Sequence, residues 1–487
     1  MSHQADTKGS ANLQFTDLFN RRFLHDPHRL VQVFIVSGVL LLSVFVGLLF
    51  PEEYLILPLL LLGAVAAFVL YLLYPPLGLF AVLIGAMLVP FEIGTGTNTG
   101  INLAIILIPL LLGILFIDTL VRKRKLSFVI SRPIWPLLAL VVVSLLAFGI
   151  GQLPWFVYAK GANLNSQIAG LIVFLMSVGA FLLVANLITE LSWLKRITWF
   201  FLIFGSIYMF AGAIPFLNQA LDLLIRHGSN GSLLYVWFVA IALSQVLFNR
   251  ELSKFWRIIL IGLLILSFYV SFVQQFDWKS GWVPSVVVVG VIIFFRKPRL
   301  GIILALLSLI FLRDLPSQII STDEYSFNTR IIAWEIIWQE IIKVNPLLGL
   351  GPANYYFYTP LYPILGYSVQ FNSHNNYVDI VAQIGLLGLA CILWFAVEEG
   401  LLGLRLRNKV LDGFSQAYMI GVLGGLAGTL IAGMFGDWII PFVYNVGVRG
   451  FRTSVIAWMF MGGLVVIERI YSNKDQNDHL EKNYQSN

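Results

Sequence analysis

Apolar residues in this chain come in long unbroken runs rather than in alternation. Fourteen runs are read, near residues 31 to 50, 54 to 74, 76 to 91, 101 to 120, 133 to 151, 166 to 188, 195 to 213, 232 to 248, 257 to 274, 281 to 295, 299 to 312, 376 to 397, 414 to 436 and 452 to 468. Most have the roughly 17 to 25 residues that a helix needs to cross a hydrocarbon core of about 30 Å. Continuous apolarity without a period of two excludes a membrane barrel, and only helices or closed barrels satisfy the backbone in lipid. The pattern therefore predicts an all-α, polytopic integral membrane protein. Loss of a pair among the short runs at 76, 281 and 299 would leave twelve crossings with the same orientation.

Composition agrees, with 59% hydrophobic and 11% charged residues against about 25% charged in soluble domains. The net charge of +6 invites a nucleic-acid reading until the charges are placed along the chain. The first 30 residues are polar and carry Arg21, Arg22 and Arg29, unlike a cleavable signal peptide, so this end is expected in the cytoplasm. From there 23 of the 31 Lys and Arg fall on the inner side, among them "RKRK" at 122 to 125 and "RKPR" at 296 to 299. Only Lys160, Arg226, Lys279, Arg313, Arg330, Lys343, Arg449 and Arg452 fall outside. The basic excess is topogenic, and it predicts an even number of crossings with both termini cytoplasmic. A single cysteine, Cys391, sits within an apolar run, so neither a disulfide framework nor a thiolate metal cluster is expected.

The organisation that follows is a cytoplasmic tail (1–30), a transmembrane bundle of about eleven helices (31–312), a long extracytoplasmic loop (313–375), further transmembrane helices (376–468) and a cytoplasmic tail (469–487). Every connection is short except the loop of about 60 residues, and long loops on compact scaffolds carry function. Within it, "SFNTRIIAWEIIWQEIIKVNPLLGLGPANYY" (326–356) predicts an amphipathic helix from Arg330 to Val344. Glu335, Gln339, Glu340 and Lys343 share one side and Trp334, Ile337, Trp338 and Ile341 the other. Asn328 or Thr329 is expected to cap it, and Pro346, Gly349 and Gly351 to end it. At 100° per residue Arg330 lies on the apolar side. It then either points inward at the positive end of the helix dipole, where an anion is favoured, or snorkels to water.

The next span begins "FNSHNNYVDIVAQIGLLGLA" (371–390). Asn372 or Ser373 is expected as its cap, with His374 in the first turn at the outer face, Asp379 about a turn deeper and Gln383 beside it at i+4. A carboxylate inside a span is by default a functional candidate, with a buried hydrogen bond between helices as the bland reading. A lone surface histidine is ordinarily solvated or structural. His227 also lies outside, after Arg226 in "LLIRHGSNGS", and two Arg/His sites on one membrane face suit a polyanion site with a base.

These residues resemble the O-antigen ligase and polymerase superfamily of bacterial envelope glycosyltransferases. The ligase pattern is His, then Asn, Ser or Gln, nine residues, Gly, two residues, and Gly, Thr or Tyr. His374, Asn375, Gly385 and Gly388 satisfy it without a gap, and Arg330 to Trp334 and Pro346 to Gly351 match the upstream pieces. The resemblance covers roughly residues 195 to 400. It implies a GT-C-like enzyme that transfers a glycan from undecaprenyl pyrophosphate at the outer leaflet of the cytoplasmic membrane to an acceptor hydroxyl, such as that of lipid A-core. His374 corresponds to the catalytic histidine, and Arg330, with Arg226 more loosely, to arginines gripping the pyrophosphate. No Asp-x-Asp pair occurs, so neither metal nor other cofactor is expected.

Supporting candidates are Asn375, Asp437, Arg449 and Arg452. Asp437 in "GDWIIPFVYN" either orients His374 or a sugar hydroxyl, or caps a helix end. Arg449 and Arg452 meet phosphate or lipid headgroups. Gly385 and Gly388 are expected to permit close helix approach, and Trp155, Tyr355, Tyr356 and Tyr358 to stack on sugars or form an interface belt. A ligase, a polysaccharide polymerase and a protein O-oligosaccharyltransferase share these features. A transporter of lipid-linked glycan is the alternative from another class, for which paired broken helices or midplane charges are expected.

Overall fold

The computed structural model describes residues 69–90, 92–94, 100–122, 128–222, 231–313 and 328–485. The chain divides into two compact units, Met1–Leu77 and Gly78–Asn487. Of the first only residues 69–77 are described, so the predicted first span and most of the second lie outside the described residues. Every predicted span from residue 76 onward coincides with a helix: α1 (Leu77–Met87), α2 (Leu103–Arg122), α3 (Ile134–Ile150), α4 (Leu164–Leu187), α5 (Leu191–Ala213) and α6 (Ser232–Phe248). They continue with α7 (Lys254–Phe268, extended by a wide turn to Gln274), α8 (Lys279–Arg296) and α9 (Pro298–Arg313). After a loop helix α10 (residues 328–336) come α11 (Asn376–Leu406), α12 (Phe414–Phe435) and α13 (Phe451–Gln485). Among the described residues eight helices are long and apolar enough to cross a membrane, and α1, α3 and α6 are shorter apolar helices.

Burial sorts the helices. Leu233 to Ala242 of α6 and Val455 to Met461 of α13 are buried on every side, as expected of an apolar helix in the middle of a bundle. α6 packs against α8 and α12, α13 against α4, and α11 against α3. In contrast α2 and α7 turn Ile106, Leu110, Ile117, Ile258 and Ile265 outward, a surface suited to lipid. One small element escaped the sequence reading, an antiparallel hairpin pairing β1 (Glu92–Gly94) with β2 (Gly100–Asn102).

The twelfth predicted span is not the continuous helix expected of it. α11 breaks at Gly385, whose φ of 72° and ψ of −177° are non-helical. In an unbroken helix the amides of Leu386 and Leu387 would donate to the carbonyls of Ala382 and Gln383. Instead they donate to Pro346 O (2.8 Å) and Leu347 O (3.2 Å), while Ala382 O and Gln383 O accept from Leu350 N (3.0 Å) and Gly351 N (2.9 Å). Loop residues 346–351 thus enter the gap and take over the ladder. The role expected of Gly385 is corrected accordingly: the close approach is by loop backbone, not by another helix. A Cβ there would sit 2.0 Å from Leu347 O, whereas one at Gly388 would meet the Ile384 side chain of its own helix.

Gly385→Ala combines a left-handed backbone with a backbone clash, a cost of about 2 kcal/mol or more. The expected result is a clear drop in melting temperature of the detergent-solubilised protein. A melting curve like that of the wild type would count against the patched break.

Candidate functional site

α10 runs into a π-helical stretch, Ile337–Ile341, and a 3₁₀ turn, Ile342–Val344. Ile337, Ile341 and Ile342 pack with Leu350, Tyr355, Tyr358, Val381, Ala382 and Phe442, so the loop has a core of its own seated on the start of α11. The amphipathic reading holds for Ile337 and Ile341 but not throughout. Trp338 is 53% exposed, because a wide turn advances fewer than 100° per residue and rotates later positions out of register. Arg330 is likewise exposed rather than directed inward, since the buried face of α10 begins at Ala333.

His374 is held between two ties. On one side Trp334 of α10 donates its indole N–H to Ser373 O at 2.6 Å. On the other, Asn375 caps α11, its Oδ1 accepting from Tyr377 N (3.0 Å) and Val378 N (3.5 Å). The expected cap is therefore corrected: Asn375 fills the role, and His374 precedes the helix in a left-handed conformation, φ 49°. The hydroxyl of Ser373 is engaged otherwise, donating to Asp379 Oδ1 at 2.7 Å while accepting from Asn375 N at 2.9 Å. A left-handed non-glycine residue is strained by about 1–3 kcal/mol, and such strain persists only where its surroundings over-determine it.

Asp379 is fully buried and accepts a second hydrogen bond at Oδ1 from the Tyr355 hydroxyl. Tyr355 stacks on Phe442 at 4.9 Å between ring centroids. Asp379 accordingly fastens the loop to α11 beneath His374. Gln383, on the same face, accepts from Ala353 N at 3.1 Å. The Asn376 amide extends the lattice, accepting from Ile439 N and Ile440 N and donating to Ile440 O, all at 2.8 Å. That contact anchors the segment after α12, where Asp437 is also fully buried. Asp437 Oδ2 accepts from Phe442 N at 2.6 Å and Oδ1 accepts from the Asn445 amide. Asn445 Nδ2 in turn stands 3.3 Å from His374 Nδ1. The reading of Asp437 as a group behind His374 thus acquires an intermediary, Asn445, that the sequence reading did not single out. One asparagine among apolar residues is a faint signal.

Electrostatics act on the same residues. Burial, and after it the Arg330 charge, push His374 below the ordinary histidine value, which favours a neutral imidazole. Burial raises Asp437 above the usual carboxylate range. Tyr355 is pushed up by burial and by the Asp379 charge, so it serves that carboxylate as a hydrogen-bond donor. The structure therefore brings together His374, Arg330, Asn375, Asp379 and Asp437.

The other candidates lie elsewhere. Arg449 pairs with Glu92 at 2.6 Å. Arg452 is fully buried, 3.5 Å from Glu92 and donating to the carbonyls of Gly85, Ala86 and Val89. The assignment of Arg452 to phosphate or headgroups is corrected, because its guanidinium caps the end of α1. Arg226 and His227 lie outside the described residues. Tyr355 and Tyr358 belong to the loop core with Trp155 packed against it, while Tyr356 stacks on Tyr444 at 4.8 Å.

Tyr355→Phe deletes one of two donors to a buried carboxylate and should cost roughly 1–3 kcal/mol. The measurement is thermal unfolding, and a variant as stable as the wild type would contradict the fastening role of Asp379.

With this geometry in place, residues 220–393 match the family model described as O-Antigen ligase. The match includes Arg330, the 346–351 segment, His374 and the break at Gly385, and stops short of Asp437 and Asn445. No curated protein matches the chain.

Proposed function

We propose that the chain, a member of the O-antigen ligase superfamily by its match over residues 220–393, transfers a glycan from undecaprenyl pyrophosphate to an acceptor hydroxyl, such as one on lipid A-core. The reaction takes place on the outer face of the bacterial cytoplasmic membrane, with both chain termini on the cytoplasmic side. The observation that carries this reading is the placement of His374 at the rim of α11, tied on both sides, where burial and then the Arg330 charge lower its basicity. His374 takes the proton of the acceptor hydroxyl as that oxygen attacks the anomeric carbon. The carbon–oxygen bond to the pyrophosphate breaks, and its electron pair leaves on the phosphate oxygen. That leaving group needs charge stabilisation more than an acid, which Arg330 and Arg226 supply as planar forks. Asn375 and Asp379 hold the rim, and arginine charge stands in for the metal that an Asp-x-Asp pair would bind.

The break in α11 bears on the transporter alternative. In transporters the carbonyls of an interrupted helix coordinate ions or substrate. Here the carbonyls of Ala382 and Gln383 accept from Leu350 and Gly351, so the break is filled by protein. A polymerase would use the same atoms with a second lipid-linked repeat as acceptor. The unbroken spacing from His374 to Gly388 favours ligase.

Purified protein given a lipid-pyrophosphate glycan donor should transfer glycan in the presence of EDTA. His374→Ala should lower the rate by roughly 10²-fold or more, and Arg330→Lys should be impaired because a point charge does not replace a fork. Undiminished transfer by His374→Ala, or activity abolished by EDTA, would sink the mechanism. The base is neutral above its own pKa, which lies under the usual histidine value of about 6.5, so the rate should hold through pH 7 and fall only on further acidification. Arg330→Ala removes a repelling charge and should move that acid limb upward.

A further inference from the structure

A neutral imidazole has one lone-pair nitrogen, and the surroundings of His374 select which it is. The amide nitrogen of Asn445 donates to Asp437 Oδ1, and the other oxygen of that carboxylate already accepts from Phe442 N. While Asp437 is ionised, exchanging the oxygen and nitrogen of the Asn445 amide would set an oxygen against a buried carboxylate oxygen, an arrangement disfavoured by like charge and by the lost hydrogen bond. Burial raises Asp437 only to about 6, so above neutral pH the carboxylate form prevails. The group that Asn445 offers His374 Nδ1 at 3.3 Å is therefore an N–H. An N–H demands a lone pair in return. The second ring nitrogen, Nε2, has no hydrogen-bond partner among the described residues.

We infer that Asn445, oriented by Asp437, is a positioning residue that fixes the tautomer of His374, so that Nδ1 is the base and Nε2 carries the proton. The inference rests on the base role given to His374 under the proposed function, and it adds the identity of the atom. The acceptor hydroxyl reaches Nδ1 by displacing the Asn445 amide, which is exposed and held at a distance beyond the usual 2.9–3.0 Å. The hydroxyl proton passes to Nδ1 as the oxygen bonds to the anomeric carbon and the pyrophosphate departs with its electron pair. Nε2–H, without a hydrogen-bond partner among the described residues, is a hydrogen-bond donor for the anionic leaving group. The imidazolium that results has the Asp437 carboxylate beyond Asn445 to offset its charge. This order reverses the arrangement in which a carboxylate accepts from Nδ1–H and leaves Nε2 as the base.

Nitrogen NMR of the full-length protein, with ¹⁵N-labelled histidine, reads the tautomer without turnover. The signal of His374 is found among the six histidines by its loss in His374→Gln. Above neutral pH the wild type should show Nδ1 unprotonated and Nε2 protonated. Asp437→Asn offers an N–H to Asn445, frees its amide to rotate, and should shift the tautomer toward protonated Nδ1. Asn445→Ala, at an exposed position, should leave a mixture. Both should lower kcat by roughly tenfold or more, a part of the 10²–10⁴-fold a positioned base contributes, with KM for the donor little changed. Protonated Nδ1 in the wild type, or the wild-type tautomer in both variants, would overturn the inference. Failure of the base reading itself would appear separately, as full transfer by His374→Ala with the tautomer signals as expected.

Discussion

Four backbone hydrogen bonds between residues 346–351 and the interrupted turn of α11 make loop and membrane helix a single structure. Without the loop, two amides and two carbonyls of α11 would stand open, and each unsatisfied backbone group in hydrocarbon costs several kcal/mol. Without the break, the loop would have no register on the bundle. Everything above the patch inherits its position: Asn345 receives the turn into it, donating to Gly349 O at 2.9 Å, and Tyr355 leaves it to reach Asp379. Docking of the loop and completion of the helix are one event. The rim that carries His374 is therefore fastened to the bundle below it.

Attachment at the rim has a polar source as well as a backbone one. Asp379, Asn376 and Asp437 are each fully buried: Asp379 ties the Tyr355 turn and Asn376 the Ile439–Ile440 backbone to the start of α11, while Asp437 closes the Phe442–Asn445 turn, whose Asn445 reaches His374. Buried polar groups stabilise only when they are hydrogen-bonded. The Asp379 and Asn376 ties hold the start of α11 on two sides, and the left-handed backbone of His374 precedes them between Trp334 and Asn375.

How much of this was legible follows from range. Span length and continuity are local, so twelve helices from residue 76 onward fall where apolar runs predict them. The spacing of His374, Asn375, Gly385 and Gly388 is legible in the sequence, and the family match spans it. The break was not, because Gly385 is flanked by Ile384 and Leu386 and nothing local distinguishes a hole from a packing glycine; its cause lies in residues 346–351. The cap is ambiguous in the sequence because Asn372, Ser373 and Asn375 are all competent, and only the bond from Ser373 to Asp379 takes Ser373 out of contention. Arg452 looked like a headgroup ligand until Glu92 and the end of α1 supplied it with buried partners. Asn445 acquires meaning only from what Asp437 and His374 do around it.

Arg330 pulls in two directions in this site. On the proposed reading, with no donor bound, its charge adds to burial in lowering the basicity of His374, which favours the neutral imidazole but makes it a weaker proton acceptor. When a pyrophosphate occupies the arginine, its negative charge offsets the guanidinium, and a nearby anion favours the protonated imidazole. On that reading the base strengthens only after the leaving group is in place. An acceptor hydroxyl arriving first would then meet a histidine reluctant to take its proton, whereas one arriving second would meet a histidine whose protonation the donor itself supports. On the proposed reading, the order in which the two substrates become reactive is set by a single exposed arginine on a helix docked against the rim.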